Sequence, residues 1–154
     1  MRRKEKEITD RNEIEDIILK AQVCRLGMAD GTLPYIIPLC FGYRDNTLYF
    51  HTAQEGKKMD ILRKNSAVCF ECDTDRELIR SEAACKWGMK FRSVVGFGKA
   101  SLIEDPAAKH RALAIIMEHY AGPSSFDYEE KILGKTCVIK VDIESMTGKK
   151  SGDL

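Results

Sequence analysis

The residues best suited to chemistry fall in one stretch, Leu48-Tyr49-Phe50-His51-Thr52-Ala53-Gln54-Glu55-Gly56-Lys57-Lys58-Met59. A strand-like run ends at a hydroxyl residue, Thr52. A short polar loop follows, and Gly56 then opens a helix whose first turn carries Lys57 and Lys58. Lysines at that end oppose the positive end of the helix dipole, at a cost of roughly 0.3–1 kcal/mol each unless an anion sits beside them. Free helix N–H groups, the dipole, two ammonium groups and the Thr52 hydroxyl would together hold a phosphate. The same lysines would also suit an ordinary solvated helix face, and the residues by themselves leave both readings open. His51 is the one side chain of the stretch that titrates near neutrality. It could supply a proton to a reacting molecule, or only hydrogen-bond the backbone or the anion.

Two other patterns merit testing as chemistry. Cys69-x-x-Cys72 has a spacing used by zinc and redox sites, but it sits in the strand-like Ala67-Val68-Cys69-Phe70-Glu71-Cys72. Residues three apart on a strand point to opposite faces, so a shared metal is not expected. The remaining cysteines, Cys24, Cys40, Cys85 and Cys137, include several inside apolar runs, as buried thiols do. His110 and His119 stand on opposite sides of one helix by the 3.6-residue period, which gives no metal pair. No nucleophile-and-base arrangement is visible.

The elements that must position these residues follow from periodicity. Asp10 with Glu13 makes a capping-box-like start, and Ile14, Ile17, Ile18 and Ala21 fall on one helical stripe. Val23 to Ala29 predicts a strand, Asp30-Gly31 a hairpin turn, and Tyr35 to Tyr43 a returning strand. Asp45-Asn46 turns again into Thr47 to Thr52, so that the three strands form a meander. The helix from Gly56 to Arg63 precedes a strand from Val68 to Cys72. Asp73 to Gly88 is polar and irregular and reads as helix or loop. Phe91 to Ile103 predicts a long strand with a bulge or close backbone approach at Gly96 and Gly98. Pro106 starts a helix with Ala112, Ile115, Ile116 and His119 on its buried stripe. Thr136 to Ile143 is the last strand, before a tail from Lys149 to Leu154 expected to fray. About six mainly antiparallel strands with flanking helices describe an α+β protein built on a small barrel.

Composition narrows the function. A chain of 154 residues supports one domain with its own core, here 1–154 with an ordered part of about 8–149. Lysine and arginine number 25 against 24 acidic residues, which leaves no broad field for nucleic acid or an anionic membrane. The N-terminus is charged with no apolar stretch behind it, and no run is long enough to span a bilayer. A reduced, cytoplasmic setting is therefore expected.

Four segments in order carry a resemblance: Tyr35-Ile36-Ile37-Pro38-Leu39-Cys40-Phe41, Leu48 to Lys58, Asn65-Ser66-Ala67-Val68-Cys69-Phe70, and Arg92-Ser93-Val94-Val95-Gly96-Phe97-Gly98. Together they resemble the pyridoxamine 5′-phosphate oxidase-like, FMN-binding split-barrel superfamily, most of all its nitroimidazole-resistance group. The resemblance implies FMN as cofactor. The strand Ile36, Ile37, Pro38, Leu39, Cys40 and Phe41 would line the flavin ring and ribityl chain through its backbone. His51, Thr52, Lys57 and Lys58 would hold the phosphate, and Ser93 would reach the polar edge of the flavin. It implies a homodimer with FMN at the subunit interface, and a small-molecule electron donor and acceptor. The family's usual Arg-Lys pair is Lys57-Lys58 here, which keeps the charge and loses bidentate geometry at the first position. The arginine- and histidine-bearing C-terminal segment of true pyridoxamine-phosphate oxidases is not matched by Ser145 to Ser151, so vitamin B6 oxidation is not expected. The 73–88 segment with Trp87 resembles an insertion of the nitroimidazole-resistance group, near the flavin face or the dimer seam; Trp87 equally suits ordinary packing. The expected activity is FMN-dependent electron transfer, with His51 as the candidate catalytic residue. The alternatives are a non-enzymatic flavin-binding protein, or a haem-handling split barrel using His51, His110 or His119 as axial ligand.

Overall fold

The structure is a computed structural model and describes residues 3–152. The elements run β1 (Glu7–Ile8), α1 (Arg11–Lys20), β2 (Cys24–Asp30), β3 (Leu33–Leu39), β4 (Gly42–Arg44), β5 (Thr47–Ala53), α2 (Lys57–Lys64), β6 (Ala67–Ile79), β7 (Gly88–Ile103), α3 (Pro106–Ala121), α4 (Glu130–Lys135) and β8 (Thr136–Ser151). All strand pairs are antiparallel, in one eight-stranded sheet of order β3-β2-β6-β7-β8-β5-β4 with β1 added to β8. This is the expected α+β architecture with two more strands than periodicity suggested. One is the two-residue β1.

The other arises because the expected strand from Tyr35 to Tyr43 is two strands, and the expected meander does not form. β3 pairs with β2, whereas β4 pairs with β5 at the far end of the sheet order. Pro34 and Pro38 lack N–H donors, which suits β3 to an edge. At Gly42 the chain then runs against the backbone of α3. A Cβ there would lie 2.7 Å from the Ile116 nitrogen and 2.8 Å from the Ile115 carbonyl oxygen, so the approach requires glycine. The sheet therefore curls without closing, and β3 and β4 are its two ends.

The inner face of the curled sheet carries the core, including Leu26, Phe50, Phe70, Val94, Ile139 and Val141. Each such side chain contributes about 1.5–3 kcal/mol on burial. α1 presents Ile14, Ile17 and Ile18 to it, as the stripe predicts, and Asp10 caps the helix by accepting from the Asn12 N–H at 2.8 Å. On the outer face, Ala112, Leu113 and Ile116 of α3 pack on Val138 of β8. Ala112, Ile115 and Ile116 are buried as expected, while His119 is half-buried and bonds through Nε2 to the Ala21 carbonyl at 2.7 Å. Tyr120 beside it donates to the Gln22 carbonyl and accepts from the Phe41 N–H. Burial is the main cause that pushes its phenol up to about 12. The end of α3 thus ties the β3–β4 junction to the segment leading into β2.

Two expectations about irregular chain are corrected. β6 continues to Ile79 and β7 begins at Gly88, so half of the 73–88 segment is strand, and only 80–87 at the tip is not. Its residues are polar because this hairpin end stands in solvent. There Arg92 pairs with Asp75 and Lys90 with Glu77, and backbone pairing rather than apolar alternation orders the chain. β8 likewise runs to Ser151, where Ser151 opposes Phe91, so residues 149–151 are strand. Residues 153–154 of the expected tail lie outside the described residues. The irregularity expected near Gly96 and Gly98 is present: the β7–β8 register shifts between Phe97 and Gly98. A Cβ on Gly96 would stand 2.3 Å from the Phe70 ring. Among the described residues no helix is long and apolar enough to cross a membrane.

Candidate functional site

The open sheet leaves two strand edges without a pairing partner. β3 has β2 on one side only, and β5 beyond Tyr49 has β8 on one side only, because β4 covers only Thr47 to Tyr49. Such edges offer backbone N–H and C=O groups to a partner or ligand. The start of α2 reaches the β3 edge: the Lys57 ammonium lies 4.7 Å from the centre of the Tyr35 ring. Tyr35 is absent from the set marked by sequence, since nothing local connects it with a lysine 22 positions later in the chain.

Beyond β5, the chain enters α2 at the residues that the sequence marks as an anion group. Gly56 caps α2 with φ 122° and offers no side chain to the first-turn N–H groups. Lys57 and Lys58 occupy that turn. Among the described residues neither forms an ion pair, whereas Arg63 and Lys64 farther along α2 pair with Asp60 and Asp30. Thr52 is buried and its Oγ1 has no hydrogen-bond partner. A buried hydroxyl without a partner costs about 1–3 kcal/mol, and a ligand oxygen placed there would recover it. Arg63 holds the intervening loop by donating to the Gln54 carbonyl at 3.2 Å, and Gln54 Nε2 donates to the Gly134 carbonyl at 2.7 Å. The donors fit a phosphate.

The other sequence-marked residues divide by face. On β3, Ile36 and Pro38 point outward with Cys40 just beyond, while Ile37 and Leu39 pack on the core; Phe41 is buried. Ser93 lies on β7 opposite Asp73 and Lys149, with β2 and β6 between it and β3. It is not brought to the Thr52–Lys57 group within this chain. His51, next to Thr52, points to the other face of β5 and lines a cavity of about 320 Å³ under α3 and α4, with Tyr128 among its walls. Strand alternation separates the two neighbours, so His51 is not placed beside the Thr52 hydroxyl. The outer face of β3, β2, β6 and β7 forms a further apolar groove of about 540 Å³ around Gly27, Ile36, Cys69 and Phe97. Ile36 is 64% and Phe97 56% exposed.

The cysteines divide in the same way. Cys72 is buried on the inner face opposite Cys24, and Cys69 is outside opposite Phe97. Hydrogen bonding with Cys72, and then burial, pushes the Cys24 thiol well up. Among the described residues no group of three or more His, Cys, Asp or Glu is placed to hold a metal ion. Trp87 is half exposed at the hairpin tip, and its indole donates to the Ser81 carbonyl.

An open, antiparallel split barrel with a lysine-bearing helix start defines a class of small proteins. The comparisons place the chain within it. The profile of the family described as pyridoxamine 5′-phosphate oxidase matches residues 10–150, so the chain belongs to that family. A solved candidate 5-nitroimidazole antibiotic resistance protein from Bacteroides thetaiotaomicron is 37% identical, with 94% of this chain and 86% of that one covered and a TM-score of 0.83. The flavocytochrome Anf3 from Azotobacter vinelandii is 20% identical, covering 99% and 72% at TM-score 0.85. A FAD- and heme-binding protein from Mycobacterium smegmatis is 16% identical, covering 96% and 74%, also at 0.85. These last two show the fold. No curated protein matches the chain.

Proposed function

We propose that this chain is a flavoprotein that holds FMN by its phosphate at Thr52, Lys57 and Lys58 and passes electrons from a reduced donor to a small organic acceptor. The carrying observation is the buried Thr52 hydroxyl without a partner, on the strand that leads into a helix start with no side-chain cap and two lysines in its first turn. Names of solved relatives support flavin as the ligand class, and the 37% identical relative supports a nitroimidazole-type acceptor. FMN is favoured over riboflavin because the helix-start donors act only on a phosphate.

In this reading the backbone of Ile36 to Phe41 lies along the flavin, and the isoalloxazine supplies reversible two-electron chemistry when bound. The chain's own part is binding, orientation and proton supply, with His51 as the proton donor toward the acceptor. A second copy packing on the Ile36–Phe97 groove would cover the outer face and bring its Ser93 toward the flavin of the first, giving a symmetric homodimer with two equivalent sites. The haem reading is less well supported: His119 is committed to the Ala21 carbonyl, and His110 packs edge-on against Tyr128.

The test is flavin titration of wild type and a Lys57→Ala/Lys58→Ala double variant with FMN, FAD and riboflavin. FMN is expected to bind more tightly than riboflavin in the wild type. The variant should lose roughly 1.5–3 kcal/mol for each charge-assisted contact, before coupling. Equal affinity for riboflavin and FMN, or undiminished FMN binding by the variant, would remove the phosphate site.

A further inference from the structure

Cys24 and Cys72 stand directly opposite one another on β2 and β6, and among the described residues theirs is the one register pair made of two cysteines. Directly opposed residues of an antiparallel pair have Cα atoms about 4.5–5.5 Å apart, inside the roughly 4.4–6.8 Å that a disulfide bridges. Both side chains are fully buried on the inner face, and the two thiols are hydrogen-bonded to each other. The pair ends the β2–β6 ladder, which runs only from Cys24 to Gly27 against Cys72 to Cys69. From Asp73 onward β6 pairs with β7 alone. A polar cleft of about 400 Å³ lies at this open end, and its walls include Val23 and Arg25 on either side of Cys24 and Asp73 next to Cys72. Within the sheet the β2–β3 hairpin is held through that short ladder alone, because β3 pairs only with β2. The edge that carries Tyr35 beside Lys57 therefore depends on it.

We propose that Cys24 and Cys72 form a redox latch: a hydroperoxide converts the pair to a cross-strand disulfide that fixes the β2–β3 hairpin to β6, and thiol reductants reopen it. One thiol attacks a peroxide oxygen, which breaks the O–O bond and leaves a sulfenic acid and a first molecule of water or alcohol. The second thiol attacks the sulfenic sulfur, which forms the S–S bond and releases water. The two cysteines lose two electrons and two protons, and the peroxide takes them up. Entry requires the last pair of the ladder to part and admit the oxidant from the cleft, and strand pairing opens most readily at such ends. The bond to Cys72, and then burial, keep the Cys24 thiol protonated at neutral pH. Closure is therefore slower than oxidation of the exposed Cys40 and Cys85, and the latch answers sustained exposure to peroxide. It is built from this chain alone and does not depend on the flavin reading.

The test treats the full, reduced chain with hydrogen peroxide, blocks the remaining thiols with iodoacetamide in denaturant, and maps the cysteines by mass spectrometry. The expected product is a pair of peptides joined through Cys24 and Cys72, lighter by two hydrogens than its reduced halves and absent after dithiothreitol. The oxidised chain should melt about 4–16 °C higher than the reduced one, and dithiothreitol should restore the lower Tm. A Cys40→Ser/Cys85→Ser variant, which lacks both exposed thiols, should form the same link. Cys72→Ala, a small apolar replacement at a buried position, should lose the link and the rise in Tm together; the wild-type map decides the question even where that variant does not fold. Failure to join Cys24 to Cys72 after peroxide has consumed Cys40 and Cys85 overturns the latch. So does a link that needs Cys40 or Cys85, a link that leaves Tm unchanged or lower, or a reversible rise in Tm that persists in Cys72→Ala.

Discussion

Replacing Thr52 by Val should have opposite effects on the flavin-free and flavin-loaded protein. The hydroxyl of Thr52 is buried without a partner, and its neighbours on the inner face are the apolar Phe50 and Leu48. Without ligand, the hydroxyl carries a desolvation cost of about 1–3 kcal/mol that a methyl group of similar shape would not. Valine also suits a half-buried strand. The flavin-free variant should therefore be more stable, and for a chain of this size each 1 kcal/mol corresponds to about 2–4 °C in Tm. With FMN bound, the same hydroxyl becomes a donor to a charged phosphate, worth roughly 1.5–3 kcal/mol. FMN affinity should fall about 10- to 150-fold, and riboflavin affinity should not change. Thermal unfolding of the flavin-stripped protein and titration by quenching of flavin fluorescence measure the two sides independently. A flavin-free variant that melts lower than wild type, together with an unchanged FMN Kd, would refute the assignment of Thr52 to the phosphate.

Other outcomes are expected from the same geometry. His51→Ala should leave FMN content nearly intact, because Thr52 and the lysines lie on the other face of β5 and beyond it. It should lower reoxidation of the reduced flavin by a nitroaromatic acceptor about 100-fold, and equal rates in anaerobic mixing would reduce His51 to a structural residue. Gly96→Ala should cost at least about 1–3 kcal/mol in denaturant unfolding, because its Cβ would meet the Phe70 ring and the Ser145 carbonyl oxygen. Gly134→Ala, where a Cβ meets nothing within 4 Å, is the matched control and should be neutral or mildly stabilising. Light scattering across a dilution series should show a dimer that Phe97→Glu splits, because a charge at the centre of the apolar groove cannot be buried unpaired. A flavin-loaded protein that stays monomeric at every concentration rules out the shared site.

The sequence by itself determined the local parts. Asp10 caps α1 and Ile14, Ile17 and Ile18 face the core, because a helix places every third or fourth residue on one side. Gly56, Lys57 and Lys58 open a helix after a strand that ends near Thr52, and that junction needs no distant residue to be read. The closeness of β7 to its neighbours at Gly96 was also legible, since only glycine is free of a Cβ. What the tertiary structure decided is how these parts meet. Whether Tyr35 to Tyr43 is one strand or two depends on the backbone of α3 pressing on Gly42, more than 70 positions away in the chain. The strand assignment of 73–79 and 144–151 depends on backbone pairing with β7, which leaves no apolar period to read. Alternation alone says that His51 and Thr52 point apart, but not that α3 and α4 roof the one while the other is buried without a partner. Local periodicity records which way a side chain points; what lies opposite is set by pairing and packing between segments far apart in the chain.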